Sequence, residues 1–181
     1  MRILVTGIAG FVGRHLLAHV ATTGDEVRGT DHLPLDRVSD AEPLRRGLAD
    51  YQPLDVTDSA AVDAWMRAGR PDAVVHLAAQ ASGAASLLHP AETYRVNALG
   101  ALNVLEAARA AGSKAVVLIV GSADIYGSGR SGERIREDAP LTPRNPYAVS
   151  KAAQDELAEV YATTYGVKAI RTRTFTHTGP G

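Results

Sequence analysis

VTGIAGFVG, Val5 to Gly13, sets glycines at positions 7, 10 and 13 where the apolar run RILVTG (Arg2 to Gly7) gives way to a helical pattern. A glycine tolerates the tight turn from strand into helix. Lacking a side chain, it also lets a pyrophosphate approach the amides at the helix N-terminus, where the macrodipole favours negative charge. The third glycine allows close packing of helix on sheet. Such spacing in isolation is as often a turn without a ligand. Its place between the first strand and the first helix is what points to a dinucleotide. The expected cofactor contacts in this stretch are Gly7, Gly10, Phe11, Val12 and Gly13.

Outward from this turn, short β-branched runs alternate with longer helical stretches. Strands are expected at Arg2 to Gly7, Asp25 to Asp31, Leu48 to Asp55, Asp72 to Ala78, Lys114 to Ser122 and Val167 to Phe175. Helices are expected at Gly10 to Thr23, Ser59 to Ala68, Pro90 to Ala111 and Tyr147 to Tyr165. Several strands are apolar almost throughout, as strands covered on both faces are, and the connections are long enough for helical crossovers. The pattern predicts an α/β fold: a Rossmann-type, doubly wound parallel sheet of about six strands with helices on both faces.

Asp31 ends the second strand, at the distance where an acidic side chain bonds the adenosine ribose hydroxyls. A carboxylate there repels a 2'-phosphate, which favours NAD over NADP, although Arg28 and His32 stand close enough in sequence to soften that preference. LDVTD places Asp55 and Val56 after the third strand as further cofactor contacts, with Thr57 or Asp58 equally suited to cap the next helix.

The chain has 181 residues, 45% hydrophobic and 22% charged, enough for one globular domain with a sizeable core. Nineteen basic and twenty acidic residues give a net charge of -1, which attracts neither nucleic acid nor an anionic membrane. A small molecule is the expected partner. The absence of cysteine excludes disulfides, thiolate metal sites and a cysteine nucleophile. No signal-peptide pattern or membrane-length apolar run is found, and a cytoplasmic address is expected.

The irregular stretch from Tyr126 to Pro146, rich in glycine, proline and charge, reads as a long functional loop. It leads directly into PYAVSK, where Tyr147 and Lys151 stand four residues apart on one helix face. On its own that pair is more often a solvated helix surface.

TGIAGFVG, DVTD, HLAAQ (His76 to Gln80), GSADIYG (Gly121 to Gly127), PYAVSK and RTRTFTHTGPG occur in that order over essentially the whole chain. Together they resemble an extended short-chain dehydrogenase/reductase of the NAD-dependent epimerase/dehydratase family. The likeness is strongest to the branch of GDP-4-keto-6-deoxymannose reductases and GDP-mannose 4,6-dehydratases. The resemblance implies that Tyr147 is the acid/base at a sugar hydroxyl or ketone. It also implies that Lys151 lowers the tyrosine's pKa and bonds the nicotinamide ribose, and that Ser122 orients the reacting oxygen. A free phenol, with a pKa near ~10, needs such a cation to act near neutral pH. Leu77, Ala78, Ala79 and Asn97 are implied as cofactor contacts, along with Tyr147 and Lys151, and Asp124 is implied among the catalytic residues. Ser82, Thr176 and His177 are implied at the substrate.

Three features depart from the family pattern. Asp124 stands where the 4,6-dehydratases carry a glutamate base, one methylene longer. Thr176 and Thr174 replace an asparagine and a proline. The chain also stops where relatives continue, so residues 1–181 are expected to be the NAD(P)-binding domain, cut before the substrate-binding portion. The expected activity is therefore reduction of a GDP-4-keto-6-deoxy sugar at C4 with NAD, NADP being possible. A 4-epimerase or 4,6-dehydratase is the alternative, and a non-catalytic dinucleotide sensor is the alternative of another class. A homodimer through a four-helix bundle built from the two long helices is expected from the same resemblance.

Overall fold

Along β1 (Arg2–Thr6) the side chains alternate between two cores. Leu4 points into one with Val74, Trp65, Met66, Val104 and Leu105, whereas Ile3 and Val5 point into the other with Ile8, Leu17 and Val27. A strand that must satisfy both faces has no polar side, which is why it reads as a continuous apolar run. The computed structural model describes residues 1–112, 114–127 and 134–180. Residues 128–133 of the expected long loop lie outside the described ones.

With β2 (Glu26–Asp31), β3 (Asp50–Pro53), β4 (Ala73–His76), β5 (Val116–Val120) and β6 (Ala169–Thr172), β1 forms one sheet in the order β3-β2-β1-β4-β5-β6. Every pairing is parallel. The winding therefore reverses between β1 and β4. In a sheet of this type the crevice beyond the strand C-termini at that reversal is where ligands bind. The helices are α1 (Phe11–Val20), α2 (Glu42–Gly47), α3 (Ser59–Gly69), α4 (Gly83–Leu88), α5 (Pro90–Tyr94), α6 (Gly100–Ala110) and α7 (Pro146–Tyr165). Among the described residues no helix is long and apolar enough to cross a membrane.

Two departures from the expected elements bear on the site. α2 and α4 have six residues each, too short for a helical period to stand out. The expected helix from Pro90 to Ala111 is interrupted by a π turn at Arg95–Leu99. Within that turn Asn97, fully buried, reaches across to the backbone of Gln80. Such wider turns concentrate near functional sites.

Candidate active site

The turn from β1 into α1 is built from backbone alone. Gly7 has φ +71, and a Cβ there would lie 2.7 Å from the Ala78 nitrogen. A Cβ on Gly13 would lie 2.6 Å from the carbonyl oxygens of both Gly7 and Ile8. Gly10 is the N-cap of α1 and supplies no side-chain cap. The first amides of α1 therefore face the cleft without an intrahelical acceptor, the arrangement that receives a pyrophosphate.

This cleft has a volume of about 920 Å³, and Gly7, Gly10, Phe11, Val12 and Gly13 line it. So do Asp31 at the end of β2, Asp55 and Val56 beyond β3, and Leu77, Ala78 and Ala79 beyond β4. Of the residues left open as caps, Asp58 is the one that caps α3, accepting from the Ala61 amide at 3.0 Å. Asp55 is exposed. Burial pushes its carboxyl up, but hydrogen bonds from the Thr57 amide and hydroxyl outweigh this, with Arg95 and His32 adding to the downward shift.

Asp31 is oriented by the glycine turn itself. Its Oδ2 accepts from the Ala9 amide at 3.3 Å, and its Oδ1 accepts from the His32 amide at 2.9 Å and faces the His32 ring at 2.8 Å. The glycine cradle, the uncapped helix and this carboxylate fit NAD. Sequence reasoning missed Arg14, which directly follows Gly13. Its guanidinium donates to the carbonyls of Ala9 at 2.8 Å, Asp40 at 2.7 Å and Ser39 at 2.6 Å, tying the far rim of the cleft to the glycine turn. An arginine beside the last glycine was the available signal.

Val12, Leu77, Ala79 and Ala81 also line a second cavity of about 570 Å³, so the two spaces adjoin along these residues. The second contains Ser122, Asp124, Tyr147 and Lys151, with Thr176 and His177 on its outer wall. Asn145 caps α7, its Oδ1 accepting from the Ala148 amide at 2.7 Å, which sets Tyr147 in the first turn of the helix. Ser122 ends the strand side of the cavity and caps the turn Ala123–Tyr126, accepting from the Asp124 amide at 3.2 Å. Lys151, one turn after Tyr147, is only 4% exposed. Its Nζ donates to the Val120 carbonyl at 3.1 Å and to Gln154 Oε1 at 2.9 Å.

The electrostatics follow from this burial. Burial raises the Tyr147 phenol above its ordinary range, the Ser122 hydroxyl draws it down, and the charge of Asp124 pushes it further up. Burial lowers the Lys151 ammonium to about 8. Behind it His76 is pushed down to about 3, by burial first and by Lys151 second. In the protein without ligand, therefore, the tyrosine is neutral at pH 7. A further positive charge in the cavity is what would bring it toward ionisation.

Two expected contacts stand apart from these cavities. Ser82 is the N-cap of α4, its Oγ accepting from the Ala85 amide at 3.1 Å. Asn97 lies behind the wall of the glycine-lined cleft rather than on it. Its Oδ1 accepts from the Gln80 amide at 2.8 Å, and its Nδ2 donates to Gln80 O at 3.1 Å and to Ser150 Oγ at 2.9 Å. Ser150 in turn donates to the Tyr147 carbonyl at 2.7 Å. Asn97 thus positions the loop after β4 against the start of α7.

The model of the NAD dependent epimerase/dehydratase family matches residues 3–181. The chain is 36% identical over 181 residues to the GDP-6-deoxy-D-mannose reductase of Pseudomonas aeruginosa, covering 99% of this chain and 53% of that protein. Among solved structures, the UDP-glucose 4-epimerase of Thermus thermophilus in complex with NAD superposes with a TM-score of 0.87 at 38% identity, covering 96% of this chain and 54% of the other. The dTDP-glucose 4,6-dehydratase of Streptomyces venezuelae with NAD bound gives a TM-score of 0.82 at 34% identity, covering 96% and 55%. The chain spans about half the length of these relatives.

Proposed function

The chain belongs to the NAD-dependent epimerase/dehydratase family, and from that premise we propose that it serves a reductase of nucleotide-linked 4-keto-6-deoxy sugars, acting at the sugar C4. The observation that carries this reading is that the glycine-lined cleft shares a wall with one cavity holding Ser122, Tyr147 and Lys151. When bound, the nicotinamide cofactor supplies the hydride. Tyr147 delivers the proton to the C4 oxygen, Ser122 donates a hydrogen bond that orients this oxygen, and the Lys151 ammonium stabilises the tyrosinate that remains. The cofactor is held at the amides of the glycine turn and at Asp31.

Reduction ranks above dehydration because the side chain beside Ser122 is an aspartate. A base displaced by about 1 Å loses much of its rate. The likeness to the Pseudomonas reductase points the same way. A 4-epimerase is the second reading, favoured by the likeness to the Thermus enzyme. The two separate in one assay of the full-length protein. A reductase consumes NADH stoichiometrically with GDP-4-keto-6-deoxymannose. An epimerase interconverts UDP-glucose and UDP-galactose with no net change in NADH absorbance. If neither activity appears while NAD binds, the sensor reading takes their place.

The same proposal includes a cytoplasmic homodimer, in keeping with a chain without cysteine. The dimer reading rests on apolar side chains left exposed on α5, the π turn and α7: Tyr94 at 50%, Leu99 at 38%, Val149 at 45%, Val160 at 44% and Tyr165 at 52%. Sedimentation at micromolar concentration tests it, and a monomer would contradict it.

A further inference from the structure

Lys151 and Asp155 are one helical turn apart on α7, and both are buried, at 4% and 1% exposure. A buried ammonium and carboxylate at that spacing ordinarily pair. Here both carboxylate oxygens of Asp155 are taken by arginines from the β6 side. Arg171 Nη1 and Arg173 Nη2 each donate to Oδ2 at 2.8 Å, and Arg173 Nε donates to Oδ1 at 3.1 Å. Arg173 is itself held by the Tyr126 hydroxyl at 2.8 Å and the Glu137 carbonyl at 2.7 Å.

Lys151 finds neutral acceptors instead, the Val120 carbonyl and Gln154 Oε1. Gln154 is 1% exposed and donates its own amide to the same Val120 carbonyl at 3.4 Å, which closes a small ring of polar atoms around Nζ. An ammonium has three donors. Two are committed to this ring, and one remains for the cavity that Lys151 lines.

We propose that Gln154 is a positioning residue for Lys151: its neutral amide seats the ammonium and fixes its direction without cancelling its charge, while Arg171 and Arg173 withhold Asp155. The inference rests on the functional reading above, because the undivided charge matters only if Lys151 acts on Tyr147 and the cofactor. A carboxylate in place of Gln154 would leave the geometry nearly unchanged and divert the field. The other charged or titratable groups around Lys151 are accounted for. His76 on β4 is neutral, Tyr147 and Asp124 line the cavity side, and Asp155 is held by its arginines.

Carbon-13 labelling at lysine Cε, with the Lys151 resonance assigned by its loss in Lys151→Arg, follows the titration of Lys151 by NMR in the full-length protein without any turnover. Gln154→Glu is expected to shift the Lys151 midpoint upward by about one pH unit or more, a tenfold change in proton affinity, because it adds a charged acceptor. Gln154→Met, which keeps the bulk and removes the acceptor, is expected to shift it downward. A general loosening of the helix would move both midpoints toward that of an exposed lysine. Midpoints that move in the same direction, or that stay within about 0.3 unit of wild type, overturn the proposal. The functional reading fails separately, if Tyr147→Phe turns over as fast as wild type, whatever Lys151 does.

Discussion

Gly7 and Ala78 meet backbone to backbone: a Cβ on Gly7 would stand 2.7 Å from the Ala78 nitrogen and 2.9 Å from its Cα. The turn after β1 and the loop after β4 thus form one continuous floor to the glycine-lined cleft, with no room for a side chain between them. Gly7 also sits at φ +71. Gly7→Ala should therefore cost about 2–5 kcal/mol from left-handed strain and overpacking together, lowering the melting temperature and weakening NAD at least about tenfold. Gly83→Ala is the control, since nothing lies within 4 Å of its Cβ position. It should leave both quantities unchanged.

The carboxylate of Asp31 is held in place by the Ala9 and His32 amides. Its charge is therefore what opposes a 2'-phosphate, and His32 and Arg37 already line the same end of the cleft. Asp31→Asn should tighten NADP about tenfold or more and weaken NAD. Paired equilibrium titrations with the two cofactors measure this. An unchanged ratio would assign the preference elsewhere.

Asp124 is exposed in the cavity that holds Ser122 and Tyr147, and its charge pushes the Tyr147 phenol up. For a reductase, Asp124→Asn should retain turnover within about fivefold and move the tyrosine's limb of the pH-rate profile to lower pH, because a negative neighbour has been removed. A dehydratase would lose its C5 base. A loss of a thousandfold or more would therefore favour dehydration.

Thr6 Oγ1 lies 2.8 Å from His76 Nδ1 in the interior, and the other ring nitrogen has no hydrogen-bond partner among the described residues. His76 is pushed down to about 3, so the folded state keeps it neutral while the unfolded state protonates it near 6.5. The folded state then binds fewer protons. Its stability is complete above about pH 6.5 and falls as pH drops toward 3, by an amount on the order of a few kcal/mol. His76→Asn should flatten that part of the curve of denaturant midpoint against pH.

The sheet and the glycine turn are legible in the sequence because their causes are local. Leu4 and Val5 face opposite cores within one short run, and Gly7, Gly10 and Gly13 punctuate a strand-to-helix turn. Features that depend on distant partners are not legible. Ser82 reads as a substrate contact until α4 is seen to begin after it, and Asn97 reads as a cofactor contact until the π turn is seen to aim it at Gln80. Gln154 gives no signal at all, because nothing in its neighbours reveals that Lys151 is buried against Val120. Tyr147 and Lys151 are readable only in company with the ordered motifs, and the cavity brings them to the same space as Ser122.

In the proposed reaction Tyr147 moves the proton while the neighbouring cleft holds the cofactor. The most direct test is single-turnover oxidation of NADH by the full-length protein with GDP-4-keto-6-deoxymannose, comparing wild type with Tyr147→Phe. The variant is expected to bind NADH within about twofold of wild type and to lose about 10²–10⁴ in the rate of the chemical step. Equal rates in the two proteins would contradict it.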